Sequence, residues 1–264
     1  MALFLLAAAP SHGADDLSTL PVDKLIDALT EIDSQAPGLH PTAWVTGFIG
    51  DDKPLDFAGG VLGSHAPIVP PQMRELARRG PSALPALINH LNDARPTKLT
   101  VGAGFFMFRY FSNEYDPKSR SRNRSMIVAG PDKNSMRKPF TGGYTVKVGD
   151  VCYAIIGQIV NRQLWAVRYQ PSAGLIINSP IEVPALIDEV KQDWAGLDPD
   201  AHKASLIADA QSGTIPWTFA PALARLRFYY PDAYAQLKTG ALAKRITAFE
   251  SDEATQAHGA KGSG

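Results

Sequence analysis

A chain of 264 residues is long enough to bury a sizeable core, in one large domain or two small ones. Its 45% hydrophobic and 20% charged residues are ordinary for a globular protein and exclude a disordered chain. Lys+Arg and Asp+Glu both number 26, so no global field draws the chain to nucleic acid or anionic lipid, and a single Cys excludes an internal disulfide and any Cys-cluster zinc site.

The chain opens on "MALFLLAAAPSHGADD". An apolar run over residues 2–9, followed by small residues, reads as the hydrophobic region and cleavage zone of a secretory signal spanning 1–14, although no Lys or Arg precedes it. The run is too short to span a bilayer. No other stretch approaches eighteen uninterrupted apolar residues, so no integral membrane segment is expected. The signal implies a periplasmic or secreted location, and without it the location is cytoplasmic. The next 236 residues, 15–250, are read as a single globular domain.

Residues 18–34, "STLPVDKLIDALTEIDS", predict a helix, with Ser18 or Thr19 as cap, Pro21 in the first turn, and Leu25, Ile26, Leu29 and Ile32 on one stripe. Residues 36–71 carry Pro and Gly throughout, which predicts a long irregular segment packed over the domain surface. In 70–99 the pattern divides into a helix over 73–79, a break at Gly80 and Pro81, and a second helix to about Asn92. Leu76, Leu84, Leu87, Ile88 and Leu91 supply the apolar faces. A second such stretch is 203–237, where "SLIADA" and "APALARLRFYYP" form the two helices, and "LKTGALAKRITAFE" continues as a further amphipathic helix.

These two stretches resemble HEAT repeats: a short first helix, a tight turn, and a second helix such as "ALPALINHL" followed by Asp93 and Arg95. The resemblance implies helix pairs that stack to bury a shared core. Roughly a hundred residues of different character separate the two units, which points to an irregular helical domain in place of a regular superhelix.

That intervening section, 100–180, reads as mixed. Residues 101–112, "VGAGFFMFRYFS", predict a buried strand. Residues 113–143 predict a polar loop, 149–162 a helix with Asp150 as N-cap, and 163–170 and 174–179 two strands. The helix that follows opens on a capping box, Ser179 with Glu182 three residues on. Residues 251–264 are small and polar and predict a disordered tail.

Cys152 is the one candidate nucleophile. Near a helix start a thiol is activated, and cysteine hydrolases use that placement with a histidine base; His65, His90 and His202 are the residues that could approach it. Packing accounts better for the position, since Cys152, Ile155, Ile156 and Ile159 fall on one helical face. Gly157 in the same helix is tolerable where another element packs close. The six histidines form no H-x-H, H-E-x-x-H or i,i+4 pair, so no metal is expected. "GGVLGSH" lacks the Lys-Ser/Thr of a phosphate loop and "VGAGFF" lacks a third glycine, so no nucleotide cofactor is expected either. No catalytic residue is assigned.

The remaining feature is a basic loop. Lys118, Arg120, Arg122, Arg124, Lys133, Arg137 and Lys138 outnumber Glu114, Asp116 and Asp132, with Tyr115 and Phe140 flanking. Such a run either is a solvated loop or meets an anionic surface.

The expectation is therefore a mainly α (α+β) protein with HEAT-like helix pairs and a small β-containing section. Its expected function is that of an exported, non-enzymatic interaction or scaffold protein with a protein partner and no cofactor. The alternatives are a hydrolase using Cys152, or binding of an anionic surface or nucleic acid through 118–138, although nucleic acid is not the expected partner.

Overall fold

The computed structural model describes residues 17–40, 47–53, 55, 65–102, 108–115, 142–170, 174–212 and 216–261. The chain is mainly helical with a small β section, the architecture anticipated from the sequence. In order come α1 (Val22–Asp27), α2 (Pro71–Arg79), α3 (Leu84–Asn89), β1 (Pro96–Val101), β2 (Phe108–Phe111), β3 (Tyr144–Lys147) and α4 (Val148–Val160). Then follow β4 (Val167–Gln170), β5 (Gly174–Ile177), α5 (Ala185–Trp194), α6 (Pro199–Gln211), α7 (Pro216–Tyr229), α8 (Pro231–Lys238) and α9 (Ala243–Lys261). No helix of the described residues is long and apolar enough to cross a membrane.

Helix boundaries follow proline and glycine closely. The first helix begins at Val22 behind Pro21; neither Ser18 nor Thr19 caps it, because both lie in a 3-10 turn, Leu17–Thr19. The helix expected over 18–34 is α-helical only over Val22–Asp27 and continues as a 3-10 turn, Ala28–Glu31, yet Leu25, Ile26, Leu29 and Ile32 are all buried. The expected break after α2 falls at Gly80 (φ +57), where a 3-10 turn over Gly80–Ala83 redirects the chain into α3.

The β section departs from the sequence reading. Of the strand expected over 101–112, residues 103–107 lie outside the described residues; Val101 ends β1 and Phe108–Phe111 form β2, on different sheets. β1 pairs antiparallel with β3, and β5 is the centre of a three-stranded sheet, parallel to β2 and antiparallel to β4. β1 alternates cleanly between exposed and buried, the signature of a half-buried strand, but its polar "PTK" start hid that pattern.

Helix α4 lies at the centre. Every residue in it except Gln158 is buried, so it has no solvent face at all. Asp150 is not its N-cap. It is the third helical residue, and its Oδ2 accepts from the Lys147 amide at 2.8 Å. Carbonyls of the turn after α3 take the next amides: Val148 donates to Arg95 O and Gly149 to Asp93 O, each at 3.0 Å. The far end closes on Asn161 in the left-handed conformation (φ 57, ψ 47), with the Arg162 amide bonded back to Gly157 O. Gly157 is needed for that return: a Cβ there would lie 2.7 Å from Arg162 O and 2.8 Å from Leu164 Cβ.

Two apolar clusters result among the described residues. The larger gathers α1 to α5 and the strands around α4; the smaller, of Leu206, Ala210, Phe219, Ala222, Leu223, Leu226, Tyr234 and Ile246, joins α6 to α9. The helix expected to open at Ser179 begins instead at Ala185, because Pro180 to Pro184 form a turn first; Ser179 Oγ still accepts the Glu182 amide at 3.4 Å. The tail expected to be disordered from 251 is helical to Lys261 as part of α9. Glu253 on that helix pairs with both Arg227 and Lys53, long-range anchors that no local pattern reveals.

Candidate functional site

Parallel pairing brings the carboxyl ends of β2 and β5 to the same edge of their sheet. The ladder continues one step beyond the strands, Ser112 N to Ile177 O at 2.9 Å, and both chains then leave it as polar residues. Asn178 reads both sides of this edge. Its Oδ1 accepts the Glu114 amide at 3.0 Å, while its Nδ2 donates to Trp165 O at 2.9 Å and Glu114 Oε2 at 3.3 Å. Glu114 in turn receives both prongs of Arg168 from β4, with Nε at 2.5 Å from Oε2 and Nη2 on Oε1. This is a largely buried, bidentate ion pair, braced by the Asn178 amide.

Beside it stands a second buried cluster. The Tyr144 hydroxyl lies 2.7 Å from Asp150 Oδ2 and 3.0 Å from Ser179 Oγ. With one proton it donates to one of them at a time, and the carboxylate is the stronger acceptor. Asp150 Oδ1 accepts no bond among the described residues. Burial pushes the Asp150 carboxyl up to about 6, outweighing the pull of the Lys147 amide and the Tyr144 hydroxyl. Burial likewise raises the Tyr144 phenol above its ordinary range. These groups stitch β3, the start of α4 and the β5–α5 turn together, sealed from solvent.

Arg109 is the exception in this region. On β2 it shares a rung with Leu175 and Tyr169, on the sheet face that carries Leu175 and Ile177 into the larger core. It is 2% exposed, and its Nε has no partner among the described residues.

The thiol of Cys152 is fully buried, and burial pushes its pKa up, opposite to activation. The opening of α4 three residues before the sequence suggested places Cys152 fifth in the helix, away from the N-terminal amides. Two of the three histidines proposed as its base are engaged elsewhere, and His65 is exposed while the thiol is fully buried. His202 Nε2 lies 2.9 Å from Ile159 O and Nδ1 2.9 Å from the Tyr230 hydroxyl, and burial lowers its pKa to about 4. His90 Nδ1 sits 3.1 Å from Asp93. Asp198 caps α6 by accepting the Ala201 amide at 2.7 Å. No group of three or more His, Cys, Asp or Glu suited to a metal occurs among the described residues.

The irregular segment between α1 and α2 is clamped to the helical body. Phe48 lies edge-on to Phe228 and Tyr229, each at 5.3 Å, under the Arg225 guanidinium at 5.0 Å. The Ile49 amide donates to Gln158 Oε1 at 3.2 Å, Arg78 pairs with Asp52, and Lys53 with Glu253. Further along, Ile68 stands 62% exposed, the one large apolar side chain in that state among the described residues. Its amide donates to Gln35 O at 3.1 Å, and Pro67 and Pro70 on either side are buried.

The sequence-predicted basic residues Lys118, Arg120, Arg122, Arg124, Lys133, Arg137 and Lys138 lie outside the described residues, as does the predicted signal at 1–14. Sequence reasoning missed Arg109, Glu114, Arg168, Asn178 and the Tyr144–Asp150–Ser179 cluster. Tyr144 and Asp150 are only six positions apart, but Ser179 is 35 from Tyr144 and Glu114 is 64 from Asn178, and no local signal announces those pairs. Comparison with family models, with curated proteins and with solved structures finds no match for this chain.

Proposed function

We propose that the protein is a non-enzymatic interaction protein, exported to the periplasm or the cell exterior, which engages a protein partner through the segment preceding α2. Ile68 carries this reading. A single exposed apolar side chain is ordinary on a protein surface, but this one is presented by a backbone that Pro67 and Pro70 stiffen and the Gln35 carbonyl tethers. A pre-ordered apolar contact loses little conformational freedom on binding, so more of its burial appears as affinity. The clamp at Phe48, Ile49 and Asp52 supports the same reading, because it fixes a Pro- and Gly-rich segment to the helical body. The HEAT-like helix pairs at 70–99 and 203–237 would then act as the frame that holds this segment out.

The test is affinity capture from native extract with the wild-type chain and with Ile68→Glu as baits, both checked for the same urea midpoint. A stoichiometric protein retained by the wild type and lost with Ile68→Glu is the expected result. A wild-type bait that retains none, or a partner kept equally by the variant, overturns the proposal.

A further inference from the structure

We infer that Arg109, at the head of β2, anchors a binding site for the carboxylate group of a small organic acid, a ligand separate from the protein partner proposed above. The sheet holds two buried arginines and treats them differently. Arg168 is neutralised by Glu114 and braced by the Asn178 network. Arg109 is as deeply buried, and its Nε makes no hydrogen bond among the described residues, nor does any ion pair there reach its guanidinium.

An unpaired buried charge is among the costliest features a fold can carry, and a buried lysine or carboxylate escapes by changing its protonation. Arginine has no such escape, because its guanidinium stays protonated at every accessible pH. Among the described residues nothing accepts from the Arg109 Nε, which leaves a donor of the cation open to an anion from outside the network. The nearest acid along the strand, Glu114, is already held by both prongs of Arg168.

The surroundings indicate the chemistry of that anion. Gly102 (φ +74) lies directly against the guanidinium: a Cβ there would stand 2.8 Å from Arg109 Nε and 2.8 Å from Leu175 Cδ2. Glycine thus lets the end of β1 approach the fork closely. Leu175 on the same rung and Phe111 two residues along the same face make the environment apolar. A carboxylate matches the Nε–Nη edge with two oxygens, and an apolar setting favours a singly charged headgroup on a hydrocarbon body over strongly hydrated phosphate.

The experiment uses hexanoate, acetate and inorganic phosphate at matched ionic strength on the full chain, with Arg109→Met as control. Thermal unfolding and the Arg109 Nε–H NMR signal, identified by its loss in the variant, are followed together. Hexanoate is expected to raise the wild-type Tm by a few degrees, saturably and more than acetate, and to shift the Nε–H signal with the same midpoint. Arg109→Met is expected to lose the hexanoate response while melting higher than the wild type in carboxylate-free buffer, since it removes an uncompensated charge. No saturable response of the wild type, an equal response of the variant, a variant less stable in carboxylate-free buffer, or a response to phosphate alone each overturns the assignment.

Discussion

The guanidinium of Arg225 on α7 donates from Nε to the backbone carbonyl of Gln158 on α4, 2.5 Å away. A side chain of α7, the helix that carries Leu223 and Leu226 of the smaller cluster, thus caps the open end of the helix at the heart of the larger one. His202 on α6 faces the next carbonyl, that of Ile159, and Asp209 ties Asn161 and Arg162 at the helix end. Cationic and N–H donors belong at a helix C-terminus, where unpaired carbonyls and the dipole meet. The two halves are therefore joined by polar capping as well as by apolar contact.

Arg225→Met removes the bonds to Gln158 O, Gln158 Oε1 and Pro221 O and leaves a buried carbonyl unpaired. Urea denaturation should show a loss of about 3 kcal/mol, with Arg225→Lys intermediate because it keeps the charge and one donor. A loss well under 1 kcal/mol would show that the joint does not depend on this cap.

His202 makes the joint sensitive to acid. Its folded pKa, about 4, lies below the ordinary 6.5, so its contribution is complete above pH 6.5 and is lost as pH falls toward 4. Between pH 7 and 4 the wild type should lose roughly 3 kcal/mol that His202→Gln does not. Parallel stability curves for the two proteins would contradict this.

Asp150 works in the opposite sense. Its folded pKa, about 6, lies above the ordinary 3.8, so stability is full below pH 4 and declines as pH rises through 6. Asp150→Asn keeps an acceptor for the Lys147 amide and the Tyr144 hydroxyl but cannot ionise. Relative to the wild type it should gain roughly 3 kcal/mol between pH 4 and 7. If the variant instead falls further behind the wild type as pH rises from 4 to 7, the charged form is the one the fold uses.

Gly157→Ala should reverse the usual helix rule. Alanine ordinarily stabilises a helix interior by about 1 kcal/mol over glycine. Here the new methyl would meet Arg162 O and Leu164 at under 3 Å, so a net loss of about 1 to 3 kcal/mol is expected. A gain in Tm would show that the return after Asn161 moves freely.

Cys152 should resist iodoacetamide at neutral pH in the folded protein and react fully once denaturant is added. Cys152→Ser, which buries a hydroxyl in place of a thiol, should cost about 1 to 3 kcal/mol. Stoichiometric labelling of the native chain would reopen the hydrolase reading.

Several elements are legible in the amino-acid sequence. The helix pair at 71–79 and 84–89 and the turn between them follow from leucine spacing and the Gly80–Pro81 punctuation. The packing role of Cys152 follows from its spacing to three isoleucines, and the close contact at Gly157 from its place in an apolar helix. Misreadings have one character. β1 is hidden because Pro96, which lacks an amide donor, and polar Thr97 and Lys98 open it, and its identity depends on β3, more than forty residues later. Asp150 has the chemistry of a cap, but the actual start of α4 is set by carbonyls of Asp93 and Arg95.

Local pattern was enough for whatever a segment does with its own neighbours: helical periodicity, proline and glycine boundaries, and the apolar character of α4. Tertiary structure alone decided which buried charges find partners. Arg168 and Arg109 are both arginines in short apolar strands, indistinguishable by local pattern, yet strand order gives one of them Glu114 and leaves the other without an acceptor for its Nε. The reason is range: apolar burial is non-directional and can be read from composition along the chain, whereas a hydrogen bond needs a particular atom within about 3 Å, and only the fold brings that atom there.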